Sequence, residues 1–208
     1  MTIQKMIFDL IHMYIVRDLV GPIEKSRYAC FGSESRIYKP LIHDKYRNRV
    51  SIGKDTVIGK YSRIQCYPNE NMEIGRLVIG DGCRIGNRCS FLCGGDITIG
   101  NGVLMASDIL ISSENHSINP ESQVWYMSQP LRCDKIIIKD GCWIGEKVCI
   151  LPGVSIGTKS VIGAGSIVTK NIPDYSIAVG NPAKVIKKYD FEKSKWMSIY
   201  KEANYDGR

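Results

Sequence analysis

The 208-residue sequence holds three histidines, eight prolines and only 9% aromatic residues. So few histidines leave little from which to build a histidine-rich metal centre, and no metal is expected. No apolar run reaches the roughly 18 residues that a membrane-crossing helix requires. The longest, Met6 to Val20, is interrupted by Asp9, His12, Arg17 and Asp18. A secretory signal is not expected either, because no basic segment leads into an uninterrupted apolar core with a small-residue cleavage site. Eight cysteines without a Cys-x-x-Cys pair do not make a disulfide framework in a chain of this length. The expected compartment is therefore the reducing cytoplasm. The net charge of +7 favours anionic partners such as a phosphorylated cofactor or a lipid surface, but is too modest to imply nucleic acid. With 44% hydrophobic and 24% charged residues, the composition is that of a globular domain.

What the chain does have is an internal repeat. Aliphatic residues recur every six positions in four runs: Ile52, Ile58, Ile64; Ile79, Ile85, Phe91; Ile99, Met105, Ile111; and Ile138, Ile144, Ile150, Ile156, Ile162, Val168. Glycine often follows the aliphatic residue, as at 53, 59, 80, 86, 100, 145, 157 and 163. Four positions after it stands a small or β-branched residue, among them Thr56, Cys83, Cys89, Val103, Cys142 and Ser160. A period of six fits no α-helix. It fits short strands whose alternate residues point inward, separated by tight corners. Asp81-Gly82, Asn101-Gly102 and Asp140-Gly141 supply the positive φ such corners need. Cys83, Cys89 and Cys142 occupy the small inward position as compact hydrophobes, whereas Cys30, Cys66, Cys93, Cys133 and Cys149 do not.

Three such strands make one coil of a triangular solenoid. The pattern is the hexapeptide repeat, and the chain resembles the left-handed parallel β-helix acyltransferases. The fold class expected is all-β: a solenoid over 49–172, an irregular cap over 23–48, an N-terminal amphipathic helix within 1–22 and a tail over 173–208. Ile3, Met6, Ile7, Leu10, Ile11, Tyr14 and Ile15 have helical spacing, and Gly21-Pro22 ends the helix. Its mixed charge favours packing against protein over a bilayer surface, although contact with the inner face of a membrane stays open. Asp190 to Tyr200 is expected to form a short helix capped by Asp190.

The phase stretches around Tyr67-Pro68-Asn69 and breaks between Ile111 and Ile138. Long excursions from a strict scaffold tend to be functional, and the loop over 112–135 carries His116, Trp125 and Tyr126. A lone histidine is usually structural, but only His116 follows directly from a regular coil into a large loop.

Cys142-Trp143-Ile144-Gly145, Leu151-Pro152-Gly153-Val154, Gly163-Ala164-Gly165-Ser166, Val168-Thr169-Lys170 and Gly180-Asn181-Pro182-Ala183-Lys184 together resemble the galactoside, maltose and polysaccharide O-acetyltransferases, closest to those of surface polysaccharides. Glu114-Asn115-His116-Ser117 resembles that group's catalytic loop, which makes His116 the general base. Imidazole titrates near neutrality and suits removal of a hydroxyl proton during attack on a thioester. Glu114 is the nearest acid to orient it, with Glu121 or a backbone carbonyl as alternatives. The oxyanion donor stays open between Ser90 and a backbone amide near Gly94 or Gly95.

The resemblance also implies acetyl-CoA as co-substrate. Its pantetheine arm would lie along Gly145, Glu146, Gly163 and Ala164, with Thr169 and Lys170 at the nucleotide end and Lys184 and Lys187 near its phosphates. Trp125, Tyr126 and Trp143 would wall the acceptor. The implied assembly is a homotrimer with active sites between subunits. Two other outcomes stay open: transfer to a free small acceptor (galactoside, maltose, antibiotic or serine), and a non-catalytic β-helix scaffold. A zinc-dependent carbonic anhydrase on the same solenoid would need three converging histidines, and His12 and His43 fall outside the repeats.

Overall fold

A computed structural model describes residues 25–38, 40–42, 44–69 and 71–200. The expected N-terminal helix, Thr2 to Val20, lies outside them. The described chain winds through three parallel sheets that form the sides of a triangular prism. The first face stacks Cys30–Phe31, Val50–Ile52, Leu77–Ile79, Ile97–Ile99, Ile136–Ile138 and Ser155–Ile156. The second stacks Arg36–Ile37, Val57–Ile58, Arg84–Ile85, Leu104–Met105, Trp143–Ile144 and Val161–Ile162. The third stacks Leu41–Ile42, Arg63–Cys66, Ser90–Cys93, Leu110–Ser112, Cys149–Ile150 and Ile167–Val168.

The hexad phase identifies the core. Ile52, Ile58, Ile79, Phe91, Ile111, Ile138, Ile150 and Val168 are all buried, as are the small partners Thr56, Ser62, Cys83, Cys89, Cys142 and Ser160. Cys66 and Cys93, outside the inward set by sequence, are buried too, as register partners on neighbouring coils. Regular pairing also begins earlier than residue 49. Cys30–Phe31, Arg36–Ile37 and Leu41–Ile42 each pair in parallel with the next coil and so form a first coil in place of an irregular cap.

Close stacking explains the glycine after the aliphatic residue. A Cβ on Gly80 would stand 2.5 Å from Asn101 Oδ1 and 2.7 Å from the Gly100 carbonyl carbon, so the coils could not approach. The corner itself takes positive φ at Gly82, but Asp55, Arg88 and Lys147 adopt it as well. The polar residue before the corner glycine has a second task. Asp81 Oδ1 accepts from the Lys54 amide at 2.7 Å, Asn101 Oδ1 from Asp81 at 2.8 Å, and Asp140 Oδ1 from Asn101 at 2.7 Å. Each corner side chain thus satisfies an amide of the preceding coil that has no ladder partner.

The expected C-terminal helix over Asp190–Tyr200 is not formed. Ser176–Gly180 lies parallel to Val161–Ile162, and Ala183–Asp190 and Lys195–Ser198 continue the second face as antiparallel strands. Asp190 Oδ1 does accept the backbone N–H groups of Glu192 and Lys193, at 3.1 and 3.0 Å, but the turn then closes through Ser194 at positive φ. Aromatic contacts hold the hairpin: Tyr189 packs edge-on to Trp196 at 5.3 Å, and Tyr175 to Phe191 at 4.9 Å. These contacts need an extended chain, and they override the local helix signal.

Candidate active site

The loop over 112–135 leaves the third face as a β-hairpin. Glu114–His116 pairs antiparallel with Leu131–Cys133, setting Glu114 opposite Cys133 and His116 opposite Leu131. Its base is fixed by buried Ser113, whose Oγ donates to Gly95 O at 2.8 Å and accepts from Gly95 N at 3.1 Å. Its tip is held by Gln129, also buried. The Gln129 amide accepts from Asn119 N at 3.1 Å and donates to Asn119 O at 3.0 Å. The hairpin is therefore a built element, and its histidine has a defined position.

Alternation along the strand puts Glu114 and His116 on one side and Asn115 on the other. Glu114 and His116 border a groove of about 590 Å³ whose opposite wall is Tyr67, Asn69 and Met72, from the stretched segment between Ile64 and Ile79. His116 also borders a second groove, of about 500 Å³, with Arg132, Asp134 and Pro152. Imidazole on the crest between two grooves can reach a group on either side.

Glu114 is half-buried, and its Oε2 has no hydrogen-bond partner among the described residues. Burial pushes its carboxyl above the usual carboxylate range, while the charges of His116 and Arg63 and the Gly94 amide pull the other way. Gly94 has no room for a side chain: a Cβ there would lie 2.7 Å from Glu114 Oε2 and 2.6 Å from Cys133 Sγ. The backbone at Gly94 thus lies against Glu114, whereas Gly95 lies against Asp134 and Ser90 sits at the start of its third-face strand. Glu121 is at the loop tip and lines neither groove.

The other expected residues are spread around the prism. Trp143 is 52% exposed on the second face. Gly145, Glu146, Gly163 and Ala164 stack at the corner that follows it, and Lys184 lies beside that corner through its pairing with Val179. Thr169 and Lys170 sit at the next corner, and Lys187 pairs with Ile177. Trp125 and Tyr126 project from the loop tip, 83% and 55% exposed. Within one chain, then, Glu114 and His116 border one groove, while Trp143 and the glycine corner lie on another edge.

Three of these residues have structural reasons of their own. A Cβ on Gly145 would meet Ala164 N at 2.6 Å, and one on Gly163 would meet Val179 Cγ1 at 2.7 Å. These glycines permit coil stacking, a different need from room for a ligand. Glu146 Oε2 accepts from Ser107 N at 2.9 Å, which continues a second amide ladder. By contrast Lys170, Lys184 and Lys187 are exposed with no ion-pair partner among the described residues, unlike Lys139 on Asp174 and Lys193 on Asp190. The wall formed by Tyr67 and Asn69 is absent from the residues expected on sequence. Its only sequence signal is the stretched phase there. Among the described residues, no group of His, Cys, Asp and Glu could hold a metal ion.

A triangular parallel β-helix is the architecture built by hexapeptide repeats, and comparison with known proteins gives the class as hexapeptide-repeat transferases. Residues 135–170 match the family model described as bacterial transferase hexapeptide (six repeats). The chain is 40% identical over 189 residues to "Putative acetyltransferase SAR2635" of Staphylococcus aureus strain MRSA252, covering 85% of each chain. It belongs to the hexapeptide-repeat acetyltransferase family. A 38% identical match to "Putative lipopolysaccharide biosynthesis O-acetyl transferase WbbJ" of Escherichia coli K12 covers 48% of this chain and 54% of that protein. The first relatives it matches, WbbJ included, are thus spanned over about half their length. Among solved structures, a maltose O-acetyltransferase from Clostridium difficile 630 superposes with a TM-score of 0.56 at 28% identity, covering 80% of this chain and 72% of that one. AntD, an N-acyltransferase from Bacillus cereus solved with a dTDP-sugar and coenzyme A, superposes with a TM-score of 0.70 at 20% identity, covering 85% and 92%, and shares the left-handed β-helix.

Proposed function

We propose that this protein is an acetyl-CoA-dependent O-acetyltransferase that acts on a sugar hydroxyl in surface polysaccharide, capsule or lipopolysaccharide assembly. The observation that carries this reading is the pairing of Glu114 and His116 on one side of a built hairpin, over a groove large enough for a sugar. His116 takes the hydroxyl proton as the oxygen bonds to the thioester carbonyl carbon. The carbon–sulfur bond breaks, and the proton passes to the departing CoA thiolate. Glu114 is the positioning residue: its open Oε2 is placed to accept from the imidazole and offset its charge as the proton is taken. Lys170, Lys184 and Lys187, exposed and without an ion-pair partner among the described residues, suit the phosphates of CoA, with Thr169 beside Lys170.

The separation of His116 from Trp143, Gly145 and Ala164 within one chain supports a homotrimer whose active sites form where hairpin and glycine corner of different copies meet. The exposed Trp125, Tyr126 and Met127 on the loop tip would be covered there and would face acceptor. Cys30, Cys66, Cys83, Cys89, Cys93, Cys142 and Cys149 are free thiols, which suits the reducing cytoplasm, and no helix among the described residues is long and apolar enough to cross a membrane. Similarity to the C. difficile maltose O-acetyltransferase favours a second reading, with a free sugar as acceptor. Incubation with acetyl-CoA and a panel of free, nucleotide-linked and lipid-linked sugars tests both. An acetylated sugar supports transfer and names the acceptor class, and acetyl-CoA binding without any product from the full panel contradicts both.

A further inference from the structure

Parallel register across the first face aligns the residues that precede its strands. Val50 pairs with Leu77, Leu77 with Ile97, and Ile97 with Ile136. Arg49, Arg76, Asp96 and Lys135 therefore stand in one column on four successive coils, at steps of roughly 4.8 Å. Three cations in a short column repel one another unless anions lie among them. One anion is present: Arg76 Nη2 donates to Asp96 Oδ2 at 2.7 Å. Arg49 Nη2 donates to Ile74 O at 2.5 Å, but its Nε is buried with no acceptor among the described residues. Lys135 is exposed and has no partner among them.

The column lines a groove of about 500 Å³ that includes the backbone of Gly94 and Gly95. Gly94 also lies against the Glu114 carboxyl. The groove also shares Asn69 with the groove bordered by Glu114 and His116, so the two cavities are neighbours on the surface. Glu73 is the other carboxylate on its rim and offers an acceptor for a sugar hydroxyl.

We infer that this groove binds a phosphate or diphosphate on the acceptor, so that the sugar to be acetylated arrives as a phosphate ester. Arg49 and Lys135 supply the unspent donors, and Arg76, fixed by Asp96, presents its remaining N–H groups between them. The inference rests on the transfer reading above and narrows its acceptor. A neutral sugar would leave Arg49 and Lys135 without an anionic partner among the described residues.

The test is calorimetric titration of the full chain with inorganic pyrophosphate, in wild type and in the exposed variants Lys135→Gln and Arg76→Gln, each checked for an unchanged melting temperature. The expected result is binding by wild type, about tenfold weaker in each variant, with acetyl-CoA affinity unchanged. Absence of pyrophosphate binding at millimolar concentration would overturn the inference, as would equal affinity in all three proteins or competition between pyrophosphate and acetyl-CoA. A nucleoside diphosphate and a prenyl diphosphate, used as competitors, then separate a nucleotide carrier from a lipid carrier. Failure of the transfer reading looks different: pyrophosphate still binds, but acetyl-CoA does not.

Discussion

Glu114 and His116 are two residues apart on one extended strand and border the same groove, and the carboxylate is the more buried of the two. A half-buried acid with an oxygen that has no partner among the described residues, near an exposed imidazole, is a poor arrangement for stability and a useful one for holding a base.

Glu114→Gln separates these roles. Burial holds the folded-state carboxyl above its unfolded value, so the folded protein retains the proton longer than the unfolded chain does. That stability is fully present below the unfolded value, near the usual glutamate range, and is lost as pH rises through the raised folded value. Removing the titrating group should therefore open a melting-temperature advantage for Glu114→Gln between pH 5 and 8, closing below pH 4. Turnover should fall by about 10-fold or more over the same range if Glu114 orients the base. Melting curves and kcat at several pH values check both. An unchanged kcat removes Glu114 from the mechanism.

Gly80→Ala should destabilise the solenoid without touching the site. The new Cβ would press on the Gly100 carbonyl carbon, which is backbone and cannot swing away. The cost should be about 1–3 kcal/mol, read by denaturant unfolding. Gly82, with nothing within 4 Å of its missing Cβ but a φ of +67°, should accept Asn far better than Val.

Thiol labelling in the native state should reach Cys30, which is exposed, and spare Cys89 and Cys142. Burial pushes both of those thiols up to about 11, so little thiolate exists at pH 8. Mass spectrometry after brief exposure to a maleimide, with and without denaturant, should show one class before unfolding and the other only after it.

Lys170→Ala and Lys184→Ala should each weaken acetyl-CoA binding about three- to tenfold while leaving kcat at saturation unchanged, as expected for exposed charge contacts to phosphate. Calorimetry with acetyl-CoA and steady-state kinetics check this. A rise confined to the acceptor KM would place both lysines elsewhere.

How much was legible follows from which features repeat. The inward positions and corner glycines recur at a fixed phase, so Ile58, Cys83 or Gly82 can be placed from sequence alone. The corner ladder was within reach too, since Asp81, Asn101 and Asp140 share one phase, but a turn preference explained them well enough to hide their second hydrogen bond. Asp190 misled because the same carboxylate geometry starts a helix or closes a turn, and only the packing of Tyr189 on Trp196 decides. The column of Arg49, Arg76, Asp96 and Lys135 was out of sight because insertions separate its members by unequal lengths, and register is a property of the folded coil. His116 stands out in the sequence because it lies where the repeat breaks. Tyr67 and Asn69 lie at a smaller break and were passed over.

The measurement that tests the central claim most directly compares wild type with His116→Ala by product mass, using acetyl-CoA and the acceptor that the wild type acetylates. His116 is exposed, so its loss should leave acetyl-CoA affinity and melting temperature unchanged while turnover falls by about 10²–10⁴-fold. Equal product from both proteins would contradict the assignment of His116 as the base.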